Sequence, residues 1–466
     1  MESKKIRVAI LEPCALNISR AVGGTMNRNI KYDSTKASRS EKTAEPAAFN
    51  YKKVKDRVLE ATMEEIYGQI IKNLTFTKLY SVAYRSNRCT AVMEYMSKND
   101  VNDVSEYIFS EEFLNDFDFV LTVDIVSRDE SKSKLRVFLW NISESRLAAG
   151  KYYMLILDKD NNNSYKLSNI ISDFIFKGTT GDRTGIFDSR IAYISETGKS
   201  DNRKKQVVIM TLDGSKSAAV TDDRNIKLTP VFSRYNPDEI YYLEYLDDGA
   251  FIIRHNLRNG TFTKISSGHS MTSSANCNPD RRVDQLILSG TEQDANTNIF
   301  LFDFGRNRNK RLTDSIGINT SASFSPDGSK IVFVSNRDGQ KKLYSKDLKT
   351  GEETLISRFE GIYDKPSWSP DGKLIAFVRM SGGSFYVGIM TPEGNNVRYL
   401  AKSFLVEGIK WSPNPRYLVY TKQTSPSGPD SIPKIYILDI ITKNELRVNT
   451  PPNIGASDPD WIMNQN

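Results

Sequence analysis

Reactive side chains are scarce in this 466-residue chain. It has only two histidines, His255 and His269, and three widely separated cysteines, Cys14, Cys89 and Cys277. That leaves little material for a histidine base or a multi-histidine metal centre, and no CxxC pair, zinc spacing or disulfide framework. Three segments come near a reactive motif and fall short. Gly382-Gly383-Ser384-Phe385-Tyr386 approaches a nucleophile elbow but lacks the second glycine, and both histidines lie upstream of it. The Gly178–Gly185 stretch has the glycines of a phosphate loop without the Lys-Ser/Thr ending, and it precedes a strand where a phosphate site needs a helix. Asp158-Lys159-Asp160 opens like a calcium loop, but Asn163 stands where glycine is required and Asn169 where a bidentate glutamate belongs, so the segment reads as a hairpin turn. Arg306, Arg308, Lys310 and Arg311 form the densest basic cluster, read as a solvated hairpin. With 64 Lys and Arg against 57 Asp and Glu, the net charge of +7 is too thin for a general nucleic-acid surface. The reading is of a chain with no catalytic, cofactor or metal site, and no apolar run long enough to span a membrane.

What the sequence carries instead is a repeat. Phe324-Ser325-Pro326-Asp327-Gly328 recurs as Trp368-Ser369-Pro370-Asp371-Gly372 and, worn, as Trp411-Ser412-Pro413-Asn414-Pro415, with prolines 44 and 43 residues apart. Proline presets the first corner of a tight turn, aspartate bonds locally to the backbone and glycine accepts the positive φ that closes it. Short apolar runs follow each copy, at Ile331–Val334, Leu374–Val378 and Tyr417–Thr421, then a third and a more polar fourth strand. This period is that of β-propeller blades. Weaker copies extend back to Arg190–Ile194, a unit that lacks an inner strand, while Asp458-Pro459-Asp460-Trp461 mimics Lys365-Pro366-Ser367-Trp368 at the far end. The expectation is a six-bladed all-β propeller over 186–466, closed by the C-terminal strand. Trp368, Trp411 and Trp461 share one blade position and read as core between blades.

The preceding residues lack the repeat. Val58–Leu74 reads as a helix, Phe119–Val126 and Leu135–Ile142 as adjacent strands, and Leu167–Lys177 as a second helix. These make an α/β domain over 46–177, with 178–185 as a linker. Residues 1–45 read as a leader or mobile segment. Glu12 and Pro13 interrupt what could be an apolar signal core, which leaves a plain strand or the remnant of a processed leader as readings of the first residues.

Ile171-Ser172-Asp173-Phe174-Ile175, the Thr-Gly-rich link, and Gly185-Ile186-Phe187-Asp188-Ser189-Arg190-Ile191-Ala192-Tyr193 before the first blade resemble the TolB family, as does the final Ala456–Trp461. The resemblance implies a periplasmic, non-enzymatic scaffold of the Tol-Pal envelope system, without cofactors, serving outer-membrane integrity and cell division. Its implied partners are the peptidoglycan-associated lipoprotein Pal, met by the propeller, and TolA, met by the N-terminal segment, with other outer-membrane proteins as further partners. The implied Pal contacts are the positions that start inner strands: Met271 and Thr272, Asn319, Thr320 and Ser321, Tyr363 and Asp364, and Glu407. Asn29-Ile30-Lys31-Tyr32 corresponds to the family's short N-terminal strand. A propeller accessory domain of a peptidase and a cytoplasmic propeller adaptor are the alternative readings.

Overall fold

The computed structural model describes residues 5–11, 14–17, 50–52, 57–85, 108–109, 112–128, 132–157, 162–198, 203–265, 271–291, 296–428 and 431–464. The segments expected as a short N-terminal strand (29–32) and as a polar lead-in (33–45), together with Cys89 and His269, lie outside these. The chain divides into two compact units, Met1–Arg183 and Thr184–Asn466.

The first unit contains, in chain order, β1 (Ile6–Leu11), β2 (Cys14–Asn17), β3 (Asn50–Lys52), α1 (Arg57–Phe76), β4 (Tyr80–Arg85), β5 (Phe119–Arg128), β6 (Lys132–Asn141), β7 (Arg146–Ile156) and α2 (Asn162–Thr180). β1 and β2 run one after the other, parallel to the same edge of β5, while β6 and β7 continue the sheet antiparallel on its other edge. Ile6–Leu11, for which a plain strand was one of the two readings, is an interior strand between β4 and β5 whose residues Val8 to Leu11 are fully buried, which is why it carries a short unbroken apolar run. Of the segment read as a hairpin turn, residues 158–161 lie outside the described residues, and Asn162 and Asn163 instead open α2; the asparagines that suggest a turn also suit the start of a helix.

Helix α1 buries Leu59, Met63, Ile66, Tyr67, Ile70 and Leu74, the three-and-four spacing of one helical face. Its buried Asn73 donates through Nδ2 to Asn169 Oδ1 at 2.8 Å and Ser172 Oγ at 3.0 Å, which pins α1 against α2. Across β5 and β6, buried Asp124 accepts from Arg136 Nη2 at 3.0 Å, and Trp140 Nε1 donates to Thr122 Oγ1 at 3.0 Å. Satisfied buried polar groups of this kind hold the register of a sheet whose other contacts are non-directional.

The second unit is six four-stranded antiparallel sheets. Five are contiguous in sequence. Their inner strands are Lys227–Phe232, Met271–Cys277, Asn319–Phe324, Ile362–Trp368 and Leu405–Trp411. In the sixth, the C-terminal strand Gly455–Met463 supplies the inner position and pairs antiparallel with Ser189–Thr197, more than 250 residues earlier. Trp368, Trp411 and Trp461 stand opposite Ile375, Leu418 and Ile191 in equivalent registers. Their indole N–H groups donate to Gly372 O, Ser367 O and Ser189 Oγ. In the repeated turns Ser325 Oγ donates to Asp327 Oδ1 at 2.6 Å and Ser369 Oγ to Asp371 Oδ1 at 2.7 Å, while Gly328 and Gly372 take φ of 69° and 75°. The serine hydroxyl holds the Asp327 carboxyl below its ordinary range, so this aspartate is committed to its own turn.

Each core cluster is shared by neighbouring blades. Val332, Val334 and Leu343 pack with Tyr363, Ile375 and Phe377, and Ile462 of the closing strand packs with Ala192, Ile194, Phe232 and Tyr242. Blade turns approach their neighbours closely as well: at Gly394, with φ of 82°, an added Cβ would run into the Ile356 carbonyl. Trp461→Ala, which empties a site 1% exposed, should cost about 3–5 kcal/mol, and removal of residues from 456 onward should cost more. Urea denaturation measures both, and a truncated chain with the full-length midpoint would refute closure by the terminal strand. Gly394→Ala should also lower the midpoint, since both its φ and its neighbour oppose a side chain.

Candidate functional site: the two mouths of the propeller channel

All six inner strands run in the same sense along the propeller axis, and every one is broken at the same level. The ladder registers shift between Leu228 and Val231, Thr272 and Ser274, Thr320 and Ser323, Asp364 and Ser367, Glu407 and Lys410, and Ser457 and Asp460. Thr229, Ser321, Lys365, Gly408 and Asp458 take φ between 45° and 60° at these bulges. A left-handed non-glycine residue costs roughly 1–3 kcal/mol, held here by the flanking strands. Pro230, Pro366 and Pro459 follow three of them, at positions where a missing N–H breaks no ladder. The bulges narrow the channel to a cavity of about 50 Å³ lined by Thr229, Ser321, Lys365, Gly408 and Asp458 among others. Below this waist lies one mouth where the inner strands start, and above it another where they reach the Ser-Pro-Asp-Gly turns.

The sequence-derived contact residues cluster at the strand-start mouth and divide by burial. Thr272, Asn319 and Tyr363 are buried. Asn319 Nδ2 donates to Thr297 O and Asn298 Oδ1, and Tyr363 stacks against Phe377, so these three frame the mouth and present no side chain to it. Thr320, Ser321 and Asp364 are partly exposed and Glu407 is exposed; Met271 marks the start of its strand. Asp364 accepts from Lys341 Nζ at 3.1 Å and from the Lys365 amide at 2.8 Å.

Sequence reasoning missed the rim. Ile226, Ile316, Ile318, Phe359 and Phe404 all lie in segments leading into inner strands, and all are exposed, Ile316 by 85% and Phe359 by 57%. Large apolar side chains gathered around one opening are the usual mark of an interaction surface. The hydrophobic residues were visible in the sequence, but nothing there distinguishes an exposed isoleucine from a core one.

The two mouths differ in how their charges are paired. At the strand-start mouth Glu407, Asp458 and Glu196 gather with Lys365 and Lys205, Glu196 accepting from Ser457 Oγ at 2.6 Å and Lys205 Nζ at 3.2 Å, while Asp364 pairs with Lys341. Although Glu407 keeps an exposed surface, desolvation of its carboxyl by the surrounding strands first, and then the Asp458 and Glu196 carboxylates, push it above its ordinary value, against the pull of Lys365 and Lys205. The turn mouth is a cavity of about 350 Å³ lined by Trp368, Trp411, Trp461, Arg234, Cys277 and Lys410 among others.

The remaining motifs fall on turns, a helix end and an exposed hairpin. Gly382 and Gly383 form the two-residue turn between paired Ser381 and Ser384. Gly178 to Thr180 belong to the last turn of α2. Arg306, Arg308, Lys310 and Arg311 are exposed on a hairpin, with Arg306 and Arg311 paired to Asp303 and Asp314. His255 is buried beside Tyr242, and burial lowers its pKa. Among the described residues no three His, Cys, Asp or Glu side chains gather to hold a metal ion, and no helix is long and apolar enough to cross a membrane.

Because the folded Glu407 carboxyl binds its proton more tightly than the unfolded one, its contribution favours folding at low pH and turns unfavourable as pH rises through the raised folded value. Glu407→Gln should therefore raise the melting temperature at pH 7 relative to the parent, with the gain shrinking below the ordinary glutamate pKa of 4.5. A gain that does not depend on pH would refute the electrostatic assignment.

Residues 176–464 match the TolB beta propeller domain. The chain is 32% identical over 335 residues to the Tol-Pal system protein TolB of Gluconobacter oxydans, covering 70% of this chain and 71% of that one. It is 33% identical over 340 residues to the protein of the same name from Rickettsia bellii, covering 72% and 75%. The crystal structure of TolB from Acinetobacter baumannii superposes with a TM-score of 0.70 at 18% identity, over 99% of this chain and 97% of that one, and so shares the fold. By sequence, length and architecture, the chain belongs to the TolB family.

Proposed function

We propose that this chain is a non-enzymatic, periplasmic scaffold of a Tol-Pal system. In this reading its propeller docks the peptidoglycan-associated lipoprotein Pal, and its N-terminal region engages TolA and other Tol proteins, in support of outer-membrane integrity and cell division. Membership of the TolB family supports the choice of this system. The observation that carries the docking reading is the apolar rim formed by Ile226, Ile316, Ile318, Phe359 and Phe404 around a polar opening of carboxylates and lysines. Such a surface suits a protein partner that buries the apolar ring and presents basic or hydrogen-bonding groups to the centre. Thr320, Ser321, Asp364 and Glu407 are the accessible polar residues placed to meet those groups. Thr272, Asn319 and Tyr363 act one layer below, holding the strand starts in position.

The purified chain should retain Pal from an envelope extract under native conditions. Ile316→Asp and Thr320→Arg should each weaken binding by ~10-fold or more in calorimetric titration against purified Pal, with little change in melting temperature. Undiminished binding in both variants would remove the strand-start mouth from the interface, and failure to retain Pal at all would contradict the scaffold reading.

A further inference from the structure

The turn mouth contains a cation without a counter-ion. Lys410 sits inside the channel where the waist opens into this mouth, and among the described residues its ammonium makes no hydrogen bond or ion pair. Burial lowers its pKa, and nearby Arg234 and Lys365 lower it further against the opposing pull of Asp460. Two neighbours could in principle supply the missing negative charge. Asp460 is already committed: its Oδ2 accepts from the Phe232 amide at 2.9 Å, and its Oδ1 lies 3.5 Å from Arg234 Nη2. The Cys277 thiol is buried and pushed up to about 12, so it is neutral at physiological pH. Lys365 is offset on its own side by Glu407. The inner part of the turn mouth is thus left with an excess positive charge, walled by three indole rings and by Pro279, Pro326, Pro370 and Pro413.

Lys410 is partly exposed, and an unmatched cation in a narrow mouth attracts counter-ions; the cavity of about 350 Å³ has room for a small anion with several waters. Lysine offers a point charge and arginine a planar fork, a combination that suits the oxygens of phosphate or carboxylate. We propose that the turn mouth is an oxyanion-binding site, in which Lys410 and Arg234 hold a phosphate or carboxylate group against the Trp368, Trp411 and Trp461 walls. The site lies across the waist from the proposed lipoprotein surface and does not depend on that assignment.

Three of the chain's 4 tryptophans line the mouth, so emission reports occupancy directly. The intact protein is titrated with inorganic phosphate and, separately, with succinate, at constant ionic strength in chloride, with calorimetry in parallel. A saturable change at millimolar concentration is expected for at least one of them. Response to phosphate alone identifies a tetrahedral oxyanion, and response to succinate identifies a carboxylate. Lys410→Met should weaken binding by ~10-fold or more, the usual worth of one charge-assisted hydrogen bond. Its melting temperature in chloride should equal or exceed the parent's, since an unmatched charge is removed, and Lys410→Gln provides a second variant with the same expectation. Absence of any saturable response, or equal affinity in the parent and both variants, would overturn the assignment and leave the mouth filled by water.

Discussion

The pairing of Gly455–Met463 with Ser189–Thr197 is the contact on which the second unit depends. Without it, one blade has no inner strand and the ring has two open sheet edges. The closing strand is tied in from several directions. Within its own blade Trp461 donates to Ser189 and Ser457 to Glu196, while Asp460 accepts from the Phe232 amide of the following blade and the Asp458 amide donates to Thr421 Oγ1 of the preceding one. Closure therefore joins the last strand to both of its neighbouring blades, and the two mouths exist only because the ring is complete. Glu407, Asp458 and Glu196, which set the charge of one mouth, and Lys410, Arg234 and Asp460, which set that of the other, come from segments that only closure brings together.

The bulge ring divides the channel and gives its ends different chemistry. A regular strand alternates its side chains strictly, so residues below and above a given level would belong to the same faces. One extra residue in each inner strand resets that alternation at a single height. Below it the strand starts expose Thr320, Asp364 and Glu407 beneath an apolar rim; above it Lys410 and the tryptophans face the cavity. The strain at Thr229, Ser321, Lys365 and Asp458 is spread around a closed ring, where no single strand can relax alone.

Blade number and order were legible in the sequence because the Ser-Pro-Asp-Gly turn is local chemistry, set by residues that touch one another. Closure was legible because Trp461 repeats the context of Trp368. The bulges were not, since threonine, serine, lysine and aspartate carry no signature of positive φ, and only Pro230, Pro366 and Pro459 hint at an interrupted ladder. β1 was open to a leader reading because a strand buried on both faces and the apolar core of a signal share one composition. Among the site residues, position along the blade could be read and exposure could not: Thr272, Asn319 and Tyr363 sit at the expected level but point into the protein, while Ile316 and Phe359 looked like ordinary core. Lys410 looked like any surface lysine until the channel placed it opposite Asp460 and Arg234.

Amide hydrogen exchange with and without bound Pal tests the central claim most directly, because it reads every blade at both ends in one experiment. The account places slowed exchange in the segments leading into the inner strands, around residues 314–320, 357–364 and 403–407, with the turns at 325–329, 369–373 and 412–416 unaffected. Protection at the turns instead, or spread evenly over both ends of the propeller, would contradict it.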